Sequence, residues 1–202
     1  MKDWKGNSKS VFAQLGASNH STEERQNEDY YATDPEAAQW LLRIEDIPKD
    51  KPIWECAAGA RHLADVFENA GYKVIATDII KRAANVQVED FLMFRGNDFC
   101  FDGSIITNPP YRYAEQFVTH ALANTAPGNK VCMFLRLNFL ESKGRKKLFE
   151  TFPPIRVWVS SSRIQCAKNA DFSKYKGGSA SAFAWFVWEV GYQGQTTLKW
   201  FN

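Results

Sequence analysis

Apolar positions along this chain recur with two periods, one helical and one extended, and the two alternate. "DPEAAQWLLR" (34–43) sets Ala37, Ala38, Leu41 and Leu42 on one helical face, with Asp34 as candidate N-cap and Pro35 in the first turn. The apolar run from Pro52 to Ala57 predicts a buried strand, and "RHLADVFENAG" a helix that Gly71 ends. The alternation continues through strand "YKVIATD", a weaker strand "NVQVEDF", strand "GSIITN" and a helix from Tyr113 to Asn124. Strand "NKVCMFLRL", helix "GRKKLFETF", strand "IRVWVSS" and a seventh strand, "SAFAWFVWEV", complete it. Strands separated by helices at this spacing predict an α/β fold, one mostly parallel sheet of seven strands with helices on both faces. Residues 1–29, polar and rich in Asn, Ser and Glu, predict an extended or partly disordered arm ahead of a single domain over 30–202.

One strand ends abruptly. "GSIITN" runs into Pro109 and Pro110, which remove two backbone donors and fix two φ angles. The result is a stiff elbow that holds the Asn108 amide and the Tyr111 ring in one orientation.

Composition narrows the class. Hydrophobic residues make up 45% of the 202 and charged residues 24%, as in soluble globular domains. No apolar run reaches membrane-spanning length and the first residues carry no export signal, so a cytoplasmic protein is expected. Cys56, Cys100, Cys132 and Cys166 are widely spaced and the three histidines scattered, which predicts no metal site. The net charge of +2 hides an asymmetry. Residues 1–140 hold 15 Lys and Arg against 19 Asp and Glu, a net of −4, whereas 141–202 hold 10 against 4, a net of +6. The basic part includes Lys143, Arg145, Lys146 and Lys147, then Arg156, Arg163, Lys168, Lys174 and Lys176, with Phe172 and Tyr175 interleaved. Such a surface suits a polyanion. A solvated helix and an ordinary loop are the plainer alternative.

In parallel α/β sheets, ligands bind beyond the carboxyl ends of the strands. Glu55 to Ala60, Asp78, Asp90 with Phe91, and Asn108 to Tyr111 all fall at such ends. Asp78 stands nineteen residues after Gly59, the spacing of a carboxylate that accepts ribose hydroxyls. Asp90 could accept from an adenine amine while Phe91 packs on the ring. "AAGARHLA" has one glycine rather than the three of a dinucleotide fingerprint, so adenosine without a pyrophosphate fits better.

These residues resemble the class I S-adenosylmethionine (SAM)-dependent methyltransferases, and more closely the small DNA adenine-N6 methyltransferases often carried by phages and prophages. The resemblance runs over roughly residues 12–201. It rests on "NEDYYATDPEA", "IWECAAGARHL", "ATDI", "VEDFL", "IITNPPY" and "FAWFVWEVGYQG", in that order. It implies a Rossmann-like domain and SAM as cofactor, held by Tyr31, Thr33, Pro35, Glu55, Ala57, Gly59, Asp78, Ile79, Asp90, Phe91 and Asn108. It also implies catalysis by Asn108, Pro109, Pro110 and Tyr111 on an adenine flipped out of DNA. Arg163, Lys168, Phe172, Lys174, Tyr175 and Lys176, with Tyr111, would hold that substrate. The family has a second glycine where this chain has Arg61, whose side chain could crowd the methionine part of SAM, contact its carboxylate or point outward. The same tetrapeptide serves methyltransferases acting on protein glutamine and on RNA guanine, and a non-catalytic DNA- or nucleoside-binding module is a further alternative.

Overall fold

The computed structural model describes residues 31–95, 100–168 and 181–202; the expected arm over 1–29 lies outside them. In chain order the elements are β1 (Tyr31–Thr33), α1 (Glu36–Ile44), β2 (Ile53–Glu55), α2 (Ala64–Asn69), β3 (Val74–Asp78), β4 (Gln87–Val88) and β5 (Ser104–Thr107). There follow α3 (Ala114–Asn124), β6 (Lys130–Arg136), α4 (Lys146–Thr151), β7 (Arg156–Ser160), β8 (Cys166–Lys168), β9 (Phe183–Glu189) and β10 (Thr197–Phe201). The N-cap expected at Asp34 is present: its Oδ1 accepts the Glu36 N–H at 2.9 Å. Gly71, at φ +88°, ends α2 in the left-handed conformation that glycine adopts without a Cβ clash.

The main sheet has the order β10-β7-β9-β6-β5-β2-β3-β4. All neighbouring pairs are parallel except those of β9, which runs antiparallel between β6 and β7. The expected seven strands are therefore eight. β10 escaped the sequence reading because it is an edge strand exposed from Thr197 to Trp200, so no buried apolar run marks it. A separate ribbon pairs β1 antiparallel with β8, three residues each, shorter than any reliable strand signal.

Period-2 patterning explains why both faces of the sheet are buried. Along β6, Val131, Met133 and Leu135 join one core with Phe117 and Val118 of α3 and Leu148 of α4. Cys132 and Phe134 join the other, with Ala37, Ala38 and Leu41 of α1 and Phe67 of α2. β9 divides likewise, Phe186 and Trp188 against Phe183, Trp185 and Val187. Each such large side chain contributes about 1.5–3 kcal/mol when fully buried. The indole N–H groups are also satisfied: Trp185 donates to Ala37 O and Trp188 to Phe152 O, each at 2.9 Å.

Candidate active site

Sheet order places the ends of β5, β2, β3 and β4 side by side, so the four predicted features share one rim. The turn after β2 is built from two left-handed residues, Gly59 at φ +53° and Arg61 at φ +71°. Gly59 N–H donates to Asp78 Oδ2 at 2.8 Å, tying the β2 turn to the end of β3. Ala57 is half-buried beside it. Glu55 lies beneath, 2% exposed, and its Oε2 is buried without a hydrogen bond. Burial pushes the Glu55 carboxyl well above the usual carboxylate range; the Ala64 N–H and the Arg61 charge oppose this, and Asp78 and Asp65 add to it.

Arg61 points away from the rim. Its Nε donates to Asp65 Oδ1 at 2.9 Å, Nη2 lies 2.6 Å from Glu68 Oε2, and Nη1 donates to Asn85 O at 2.8 Å. Of the three placements open in the sequence, the outward one is present, and the guanidinium is held by the helix it precedes.

Asp78 is buried and already accepts from Ile80 N–H at 2.9 Å and Arg82 Nη1 at 3.2 Å through Oδ1. Ile79 beside it is 63% exposed, an apolar side chain open at the rim. Asp90 is exposed and caps the short 3-10 turn Phe91–Met93 through Leu92 N–H at 3.0 Å. Phe91 departs from expectation. Its ring is 2% exposed and packs on Trp54, Phe117 and His120 at centroid distances of 5.2, 5.1 and 4.9 Å, so the faces assigned to an adenine are taken by the core.

At the elbow after β5, Asn108 Nδ2 donates to Thr33 Oγ1 at 2.6 Å. Thr33 is in turn 4% exposed and paired in register with Cys166, so the β1–β8 ribbon brings Thr33 to the tetrapeptide Asn108 to Tyr111. Pro35 is half-buried at the start of α1; for Tyr31 the backbone pairing with Lys168 is described. Pro109 is buried, and Pro110 (φ −56°) opens a 3-10 turn over Tyr111–Tyr113 that leads into α3. The Tyr111 ring lies 5.9 Å from Phe183 and 4.5 Å from the Arg136 guanidinium. Burial, then the adjoining Cys166 thiol, push its phenol well up. The Cys166 thiol is likewise pushed up to about 12 by burial, within hydrogen-bonding reach of Tyr111 and Thr33, so it is not a nucleophilic thiolate.

The expected substrate residues divide. Arg163 is exposed ahead of β8, and Lys168 ends that strand. Phe172, Lys174, Tyr175 and Lys176 lie outside the described residues. Arg136 and Cys166 were missed, because nothing local in "FLRLNF" or "RIQCAK" announces that they meet Tyr111. Among the described residues, no group of three or more His, Cys, Asp or Glu is placed to hold a metal ion, and no helix is long and apolar enough to cross a membrane.

No protein-family model and no curated protein matches the sequence. Solved structures share its architecture. A protein of Vibrio vulnificus assigned as the modification subunit of a type I restriction enzyme gives a TM-score of 0.60 over 93% of this chain and 48% of its own, at 11% identity. A Listeria monocytogenes protein assigned as a class I SAM-dependent methyltransferase gives 0.58 over 95% and 71%, also at 11% identity. A Pyrococcus horikoshii protein assigned as an RNA methyltransferase gives 0.57 over 91% and 99%, at 15% identity. The chain has the Rossmann-like fold of the class I methyltransferases. It spans about half the length of the Vibrio subunit.

Proposed function

We propose that this chain is a DNA methyltransferase that moves a methyl group from SAM to the N6 amine of adenine. The observation that carries the reading is the Asn108 amide. Its nitrogen donates to Thr33 Oγ1 at 2.6 Å, which fixes the orientation of the amide at an elbow stiffened by Pro109 and Pro110. Two preoriented acceptors suit an amine with two hydrogens. If Asn108 Oδ1 and the Pro109 carbonyl each accept one N6 hydrogen, the nitrogen becomes pyramidal and its lone pair localises. With SAM bound, the N–C bond would form as the S–C bond breaks, and the alkylated amine would lose one proton to water.

The residues at the rim fit the cofactor. The orphaned Glu55 Oε2 suits a cationic amine, Asp78 suits ribose hydroxyls, and exposed Ile79 suits a purine face. Bound there, SAM would supply a methyl group on a sulfonium sulfur. Gly59, Ala57, Asp90 and the 31–35 segment complete the set, and Phe91 contributes as core beneath it. Arg61, engaged by Asp65, Glu68 and Asn85, offers no support for the non-catalytic module. The basic composition of 141–202 and the likeness to a modification subunit support DNA as the acceptor.

The test offers radiolabelled SAM with unmethylated genomic DNA, total RNA or lysate protein as separate acceptors, followed by nucleoside mass spectrometry. N6-methyladenine in DNA is expected, and Asn108→Ala should abolish it with the fold and most SAM binding intact, since it removes an acceptor needed mainly in the transition state. Label confined to RNA or protein overturns the DNA assignment. Tight SAM binding with no label in any acceptor identifies a binding module instead.

A further inference from the structure

Arg136, the last residue of β6, makes no ion pair among the described residues. Its Nε is buried and makes no hydrogen bond, and its plane approaches the Tyr111 ring to 4.5 Å. Elsewhere in the chain comparable arginines are matched: Arg61 by Asp65 and Glu68, Arg156 by Glu45. Arg136 instead borders a cavity of about 230 Å³ lined with Tyr111, Leu135, Asn138, Phe139 and Arg145. Among the described residues, no carboxylate lines it. Arg145, which also lines the cavity, spends its donors on the carbonyls of Phe139, Asn138 and Glu141 at 2.7–3.1 Å, and among the described residues it makes no ion pair.

A guanidinium is a planar fork of five donors that matches two phosphate oxygens at once. It is also a flat cation that covers an aromatic face in the way a nucleobase would. Both properties meet at one place. We propose that Arg136 is the nucleotide-phosphate residue of the site: without substrate it covers the Tyr111 ring, and with an extrahelical nucleotide bound it yields that face to the base and takes the nucleotide's phosphate in the adjoining cavity. This rests on the adenine reading given above. It adds a ligand class, the phosphate of the flipped nucleotide, and a reason for the ring to be covered beforehand: an exposed aromatic face would otherwise attract other planar or apolar groups.

The experiment measures the affinities of 2′-deoxyadenosine and 2′-deoxyadenosine 5′-monophosphate by ligand-observed NMR, with S-adenosylhomocysteine present. Wild type, Arg136→Gln and Arg136→Lys are compared, after thermal melting shows each variant folded. Wild type is expected to prefer the monophosphate at least tenfold. Arg136→Gln should erase that preference while binding the nucleoside as well as wild type or better, and Arg136→Lys should retain part of it. An undiminished preference in Arg136→Gln, or equal affinities in wild type, overturns the assignment. Deoxycytidine monophosphate separates this from the reading beneath. If it binds as tightly as the adenine nucleotide and loses affinity in Arg136→Gln, the phosphate assignment stands and the adenine assignment falls. No binding of any mononucleotide to wild type overturns both.

Discussion

Arg61 carries a φ of +71°, a conformation that costs a non-glycine residue roughly 1–2 kcal/mol. Its side chain offsets that cost through Asp65, Glu68 and the Asn85 carbonyl. Arg61→Gly would relieve the backbone and delete those charge-assisted bonds together. Since the guanidinium faces away from the rim, we expect a net loss of about 1–2 kcal/mol in stability, with SAM affinity changed less than twofold. Denaturant melts and calorimetry would check it; a marked tightening of SAM binding would mean the arginine crowds the pocket after all. Glu55 should behave oppositely. Burial raises its folded pKa above the unfolded value, so the folded state binds the extra proton, and stability falls as pH rises through that folded pKa. Glu55→Gln removes the ionisation, and is expected to stabilise the ligand-free chain at alkaline pH while weakening SAM binding tenfold or more. Melting temperature against pH, beside a SAM titration, separates the two effects.

At the level of elements, α1 is latched to the sheet by Glu45, the residue that ends it. The carboxylate side chain is fully buried, bonded by Lys130 of β6 at 2.7 Å and by Arg156 and Trp158 of β7, the indole at 2.7 Å. Burial alone would raise its pKa, but those hydrogen bonds outweigh it and hold the group at about 2 against an ordinary 4.5. A depressed carboxylate stabilises the fold fully above the unfolded value and loses its contribution as pH falls from about 4.5 toward about 2. That difference corresponds to on the order of 3 kcal/mol. Urea unfolding at stepped pH should show this acid limb, and Glu45→Gln should flatten it while lowering neutral-pH stability by about 3 kcal/mol or more, since two cations are left unmatched. An unchanged limb would mean the latch carries no linkage. Because α1 follows directly on β1, the same latch steadies the segment that carries Thr33 to Asn108.

Across the whole molecule, charge separates as the halves of the proposed task would require: a net −4 over 1–140, which hold the rim proposed for the cofactor, and +6 over 141–202. Lys146 and Lys147 are exposed on α4, with Lys143 exposed just ahead of it. Phosphate contacts release counterions, so each one removed should flatten the log–log salt dependence of DNA affinity by about 0.9. We expect the combined neutralisation of Lys168, Lys174 and Lys176 to weaken DNA binding and lower that slope with SAM affinity unchanged. The corresponding change at Lys143, Lys146 and Lys147 tests whether α4 shares the face. Fluorescence anisotropy on a labelled duplex at several salt concentrations gives both slopes, and two unchanged slopes would move the DNA-binding face elsewhere.

Local physics was enough for much of this protein. Hydrophobic period, a capping aspartate, a glycine stop and a double-proline elbow are properties of neighbouring residues, and they were sufficient to predict the order of helices and strands and the rim at the strand ends. The placement of Asn108, Asp78 and Gly59 at that rim was legible because each sits where a strand stops. Pairing between distant segments was not. β9 entering antiparallel between β6 and β7, β10 on the outer edge, and the three-residue ribbon that brings Thr33 to Asn108 all depend on which backbone meets which, and a short or half-exposed strand carries no periodic mark of its partner. Side-chain direction was equally closed to inspection: Phe91 turns into the core because Trp54, Phe117 and His120 leave a space that fits it, and Arg136 reaches Tyr111 because β6 lies beside β5. Those choices are made by packing, which sums contacts over residues far apart in the chain, and only the tertiary structure decides them.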